Sequence, residues 1–182
     1  VKWFTGRMIS QKTLNKMKIY SDREFMPQFK KEVTVACFPF FFQDKLINIK
    51  FRGPQKSFKQ NAGSELIFYN QDALLNFQDI IIVEGEMDAL SYIEVGIDNV
   101  LSVPAGANTK MEYLDNYIEL FEKIKNVYIA TDQDTKGIEL KDELGRRLGP
   151  EKCFIVNFKD CKDANDYLIK YGGIALQDTI KE

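Results

Sequence analysis

The clearest pattern along the chain begins at residue 80. Ile80–Val83 is an uninterrupted β-branched run, as a strand buried on both faces requires. Apolar positions at helical spacing follow (Met87, Leu90, Ile93) and end at Gly96, so a helix is predicted over 87–95. The alternation then repeats. Strands are predicted at 100–103, 127–130 and 153–156, and helices at 111–124, 137–148 and 164–171. Such alternation predicts an α/β fold, a parallel sheet with helices on both faces and right-handed crossovers. The first 75 residues read differently. One short helix is expected over 10–19. Strand signals follow at 33–37, 38–42, 46–51 and 66–69, separated by Gly53-Pro54 and Asn61-Ala62-Gly63. The expected organisation is a small α+β subdomain over 1–75 and an α/β domain over 76–182, joined somewhere in 70–78.

Charge sharpens that division. The 182 residues carry a formal charge of −2, but residues 1–60 hold 13 basic and 4 acidic side chains, and the rest hold 12 basic and 23 acidic. A basic third joined to an acidic remainder points to polyanion contacts in one part and cation binding in the other. There is no histidine, which excludes Ser-His-Asp and Cys-His catalysis and histidine-ligated zinc. Cys37, Cys153 and Cys161 are too few and too scattered for a four-cysteine zinc site or a disulfide framework. No apolar run approaches a membrane span and no signal-peptide pattern opens the chain, so the expectation is a cytoplasmic, soluble piece of a longer protein.

In an open parallel sheet, ligands bind at the carboxyl ends of the strands. Here those ends are Glu84-Gly85-Glu86-Met87-Asp88, then Pro104 to Asn108, then Asp132-Gln133-Asp134, and then Asp160-Cys161-Lys162-Asp163. Positions two apart on extended chain share a face, so Asp132 and Asp134 point together. Clustered carboxylates call for a hard divalent cation, Mg²⁺ or Mn²⁺. Plainer roles compete for some of them. Glu86 and Asp88 sit where acids favour a helix N-terminus, and Asp163 suits an N-cap. Glu84, between an apolar run and a glycine, has the weakest plain explanation. Gly85 is expected to let the backbone turn sharply there. In the basic part, Lys50, Arg52, Lys56 and Lys59 alternate with Phe51 and Phe58, a mixture suited to single-stranded nucleic acid and nucleotides; the plain alternative is a solvated sheet face. Lys136 either touches a phosphate or merely starts a helix.

Ile80–Leu90 followed by Ala130-Thr131-Asp132-Gln133-Asp134-Thr135-Lys136-Gly137 resembles the TOPRIM fold of topoisomerases and primases, over about 79–172. Ser102–Ala107, Cys161–Leu168 and the basic stretch Lys50–Lys59 look most like the primase half of phage-type primase–helicases. The resemblance implies Mg²⁺-dependent, template-directed synthesis of an RNA primer from ribonucleoside triphosphates on single-stranded DNA. It implies Glu84 as general base, Asp132 and Asp134 with Asp163 around the metal, and Glu84 as a further ligand. Asp88 and Gly85 would support the site, and Lys50, Arg52, Lys56, Lys59, Asn108 and Lys136 would contact nucleotide or DNA. A helicase module and a zinc-binding module are expected elsewhere in the parent protein, since neither a Walker A loop nor the zinc cysteines are here. A TOPRIM nuclease and a non-catalytic TOPRIM interaction module are the competing readings.

Overall fold

The computed structural model describes residues 2–181. Two four-stranded sheets organise it. The first is antiparallel in the order β1-β2-β3-β4, with β1 at Tyr20–Met26, β2 at Lys31–Phe42, β3 at Lys45–Arg52 and β4 at Phe58–Gln60. The second is parallel in the order β6-β5-β7-β8, with β5 at Asp79–Val83, β6 at Val100–Ser102, β7 at Asn126–Ala130 and β8 at Cys153–Ile155. Helices α1 (Lys2–Thr5) and α2 (Gln11–Lys16) precede the first sheet, and α3 (Ala73–Asn76) leads into the second. The parallel sheet then alternates with α4 (Glu86–Glu94), α5 (Ile118–Glu122), α6 (Thr135–Leu148) and α7 (Ala164–Tyr171), followed by α8 (Gly173–Asp178). The α/β architecture read from the alternation is therefore the one observed.

Ile80–Val83 explains why β5 is central. Ile81 and Val83 pack into one core and Ile80 and Ile82 into another, so both faces of the strand are covered and all four side chains are fully buried. The first core also takes Phe38, Phe40 and Tyr69, so the antiparallel sheet and the parallel sheet share apolar contacts. Tyr69 bonds through its backbone to Ser102, N–H to carbonyl in both directions at 3.0 and 3.2 Å.

Three expectations are corrected and one strand was not foreseen. Residues 33–42 form one strand rather than two, with Pro39 inside it: β1 pairs only as far as Cys37, so the proline's missing N–H falls where β2 has one neighbour. Residues 66–69 form no strand beyond the Tyr69–Ser102 bridge. The strand Tyr20–Met26 carries no apolar alternation, since all but Glu24 and Met26 face solvent, and hydrogen bonding to β2 defines it. The helix expected over 111–124 is a 3-10 turn (Glu112–Tyr117) followed by the short α5. Among the described residues, no helix is long and apolar enough to cross a membrane.

Candidate active site

Connectivity determines where the site lies. From β5 the chain crosses to β6 on one side, and from β7 to β8 on the other. The neighbours β5 and β7 therefore flank a topological switch point, where loops diverge and leave a crevice. Val83 is paired with Ala130, so Glu84 and the Thr131–Asp134 turn leave the sheet side by side.

Asp134, Asp163 and the turn carrying Asp132 are held by local devices. Asp134 caps α6, its Oδ1 accepting the Gly137 N–H at 3.1 Å. Asp163 caps α7 by accepting from Asp166 N–H at 2.8 Å. Gly137 is required sterically: a Cβ there would lie 2.0 Å from the Asp132 carbonyl oxygen. Thr131 Oγ1 donates to the Gly137 carbonyl at 2.8 Å and closes the same turn. Gly85 does something other than expected. Its φ is −128°, an extended conformation open to any residue, so no sharp turn demands glycine. A Cβ would instead press on Asp88 Oδ2 at 3.1 Å, and the missing side chain leaves room for that carboxylate.

The electrostatics show how closely the acids converge. Glu84 is pushed up to about 7, first by burial and then by the negative charges of Asp132 and Asp134. Its Oε2 is buried and has no hydrogen-bond partner. Asp88 is pushed well above the usual carboxylate range by burial and by Asp163 and Asp132, although Asn165 N–H donates to it at 3.2 Å. Asp163 is raised by burial and by the neighbouring Asp166 and Asp132. Asp134, half exposed, is lowered by the Gly137 N–H and by Lys162. Lys162 Nζ stands 2.7 Å from Asp132 and 3.2 Å from Asp134.

These groups line one wall of a cleft of about 630 Å³. Glu84, Glu86, Asp88, Asp132 and Asp163 contribute carboxylates, with Asp134 just outside at the rim. The opposite wall comes from the antiparallel sheet and the N-terminal segment: Arg7, Lys50, Arg52, Lys56 and Lys59. The basic residues divide into two kinds. Lys50 is buried against Glu86 at 2.8 Å, and Lys59 pairs with Glu24 at 2.7 Å. Arg52 and Lys56 make no ion pair among the described residues. Burial and the adjacent Arg7 lower the pKa of Arg52, while Glu86 and Asp88 act in the opposite direction without outweighing them. Both guanidiniums lie near the Trp3 ring, at 4.7 Å for Arg7 and 4.6 Å for Arg52. Asn108 and Lys136 are exposed and line no part of this cleft; Asn108 Oδ1 accepts from Lys110 N–H within its own loop.

Three residues of the site escaped the sequence reading. Lys162 and Asn165 fall inside a quoted motif, but nothing local distinguishes them from a solvated lysine and a helix-start asparagine. Arg7 has no sequence signal at all. Its Nη1 donates to Asn165 Oδ1 at 3.0 Å, and Asn165 Nδ2 donates back to the Arg7 carbonyl and to Ser91 Oγ.

The donor set suits a hard cation, and the orphaned Glu84 oxygen has no other partner in view. Among the described residues, however, no three acids or thiols stand close enough together to form a ready-made metal cage. The Lys162 ammonium lies against Asp132 and Asp134 instead. The donors are of the right kind for a divalent ion, and Asp132, Asp134, Asp163 and Glu84 are the residues that would hold one.

A parallel sheet whose switch point gathers a glutamate, a D-x-D turn and a further aspartate is the arrangement that the TOPRIM resemblance implies. Residues 81–168 match the family model described as Toprim-like. Two curated relatives from Arabidopsis thaliana match 98% of the chain: a "Primase homolog protein" at 33% identity and a "Twinkle homolog protein, chloroplastic/mitochondrial" at 32%. The chain spans 57% of the first and 27% of the second. Among solved structures, the primase fragment of the bacteriophage T7 primase-helicase protein superposes on 97% of this chain and 72% of its own, with TM-score 0.81 and 20% identity. A T7 lagging-strand polymerase assembly, described as containing primase domains bound to an RNA/DNA hybrid and dTTP, covers 98% of this chain and 89% of its own, with TM-score 0.80 and 20% identity. Both sheets of this chain therefore follow the fold of a primase core.

Proposed function

We propose that this chain is the catalytic core of a DNA primase, joining ribonucleotides on a single-stranded DNA template with Mg²⁺ or Mn²⁺. The observation that carries the proposal is the single cleft lined both by acids of the parallel-sheet part and by Arg52 and Lys56 of the antiparallel-sheet part, neither of which is in an ion pair among the described residues. Nucleotidyl transfer needs both walls. A divalent ion held by Asp132 and Asp134, with Asp163 and Glu84 beside them, would offset charge on the phosphate oxygens and acidify the attacking hydroxyl. Arg52, Arg7 and Lys56 suit the triphosphate or the template backbone.

Glu84 suits general-base work because burial, the chief cause of its raised pKa, persists when a cation offsets Asp132 and Asp134. In the step it would take the proton of a primer 3′-hydroxyl as that oxygen bonds to the α-phosphorus and pyrophosphate leaves. Asp88 and Asn165 hold the adjacent turn through the Asn165 N–H. The names of the relatives and the hybrid-bound neighbour support the same reading, as does the division into a basic part over 1–75 and a TOPRIM part over 76–182. Helicase and zinc-binding modules belong to this proposal as parts of a longer protein.

The test is incubation with single-stranded DNA, labelled ribonucleotides and Mg²⁺ or Mn²⁺. Short oligomers are expected from wild type. Glu84→Gln should lower joining at least about 10²-fold, with little change in DNA affinity. Wild type that binds Mn²⁺ and DNA yet joins no nucleotides would instead make the chain a non-catalytic TOPRIM module.

A further inference from the structure

Lys162 occupies an unusual position for a half-exposed lysine. It is the ion-pair partner of Asp132, whose side chain is only 10% exposed, and it bridges to Asp134. Its backbone is fixed as well. The Lys162 carbonyl accepts the Gln133 N–H at 2.8 Å, and Gln133 Nε2 donates to the Cys161 carbonyl at 3.1 Å. The loop before α7 is thus stitched to the middle residue of the D-x-D turn, and the lysine starts from a set place beside both acids.

Those two bonds would not be needed for a solvated lysine, and a capping role is already filled. Asp134 caps α6 through its other oxygen, and Asp132 has no other cation among the described residues. The side chain also lines the open cleft, with 50% of its surface exposed, so its ammonium can leave without disturbing the core. An ammonium is a compact point charge on a flexible stem, able to neutralise two carboxylates and to move away.

We infer that Lys162 is a built-in counter-cation for the D-x-D pair, holding Asp132 and Asp134 together without metal and competing with a divalent ion for them. This rests on the metal reading of the site given above. The consequence is a site that takes up a free divalent ion weakly, because each binding event must first displace a tethered positive charge. Lys162 is on this account a positioning residue that sets metal affinity.

The experiment is Mn²⁺ titration of the metal-stripped 182-residue chain by calorimetry and by electron paramagnetic resonance, for wild type, Lys162→Met, Lys162→Gln and an Asp132→Asn/Asp134→Asn control. Both Lys162 variants should bind Mn²⁺ at least about tenfold tighter than wild type, equivalent to about 1.4 kcal/mol. Equal or weaker binding in correctly folded variants, judged by circular dichroism, would overturn the counter-cation role while leaving the metal reading intact, provided wild type binds and the double aspartate variant does not. If neither wild type nor the Lys162 variants bind Mn²⁺, the metal reading fails and this inference fails with it.

Discussion

Glu84 is the residue whose chemistry depends most on its surroundings. Burial and two neighbouring aspartates raise it from an ordinary value near 4.5 to about 7. A carboxyl raised in this way binds its proton more tightly folded than unfolded. The stability it contributes is therefore full below pH 4.5 and is lost as pH rises through 7. Glu84→Gln removes that penalty. In EDTA, the variant should match wild type near pH 4.5 and exceed it above pH 7.5 by about 2 kcal/mol, allowing for solvent screening at a partly exposed group. Urea denaturation at the two pH values measures it. Equal stability at both would mean that neither burial nor the two aspartates raise Glu84. The same substitution is expected to abolish base function, so one residue reports on both stability and chemistry.

The β7–α6 turn shows an element serving two purposes. Asp134 starts the helix and Gly137 lets the helix approach the Asp132 backbone, so the geometry that initiates α6 also presents the acid pair. The positions are inseparable because a Cβ at 137 would overlap a carbonyl oxygen rather than a movable side-chain end. Gly137→Ala should destabilise the chain by about 3 kcal/mol, at the upper end of the cost of overpacking, and weaken Mn²⁺ binding. Thermal unfolding and metal titration check the two effects. A stable Gly137→Ala protein with wild-type metal affinity would show that the turn can relax. Gly85→Ala, by contrast, disturbs only the Asp88 carboxylate and should fold normally.

At the scale of the molecule, the charge imbalance becomes a cleft with opposed walls. It does so only partly, because folding uses some of the basic residues internally. Lys50 neutralises the buried Glu86 and Lys59 is held by Glu24, whereas Arg52 and Lys56 make no ion pair among the described residues. Each cation that contacts a phosphate contributes about 0.7 to the salt slope of single-strand binding. Arg52→Ala/Lys56→Ala should therefore flatten the log–log slope by about 1.4, while Lys59→Ala should change it much less. Fluorescence anisotropy with labelled single-stranded DNA at several salt concentrations separates these outcomes. Identical slopes in wild type and the Arg52/Lys56 variant would remove those residues from the interface.

The sequence by itself determined the parallel domain, because β-branched runs and helical spacing act over a few residues and leave little choice of element. It also located Glu84, Asp132 and Asp134 just past strand ends, since strand-end position follows from local pattern, whereas Asp163 stands at the start of α7, eight residues beyond β8. It did not determine the edge strand Tyr20–Met26, whose mostly exposed side chains carry no signature and whose hydrogen bonds come from a neighbour in space. Nor did it separate the free cations from the paired ones. Lys50 and Arg52 stand two apart on one strand, and whether each meets a carboxylate depends on how the antiparallel sheet packs against α4. Arg7 and Lys162 reach the cleft from segments 155 residues apart, a placement set by packing of the whole chain. Local sequence fixes which groups can titrate or ligate; long-range packing decides which of them face one another, because charge interactions act through distance in space and not along the chain.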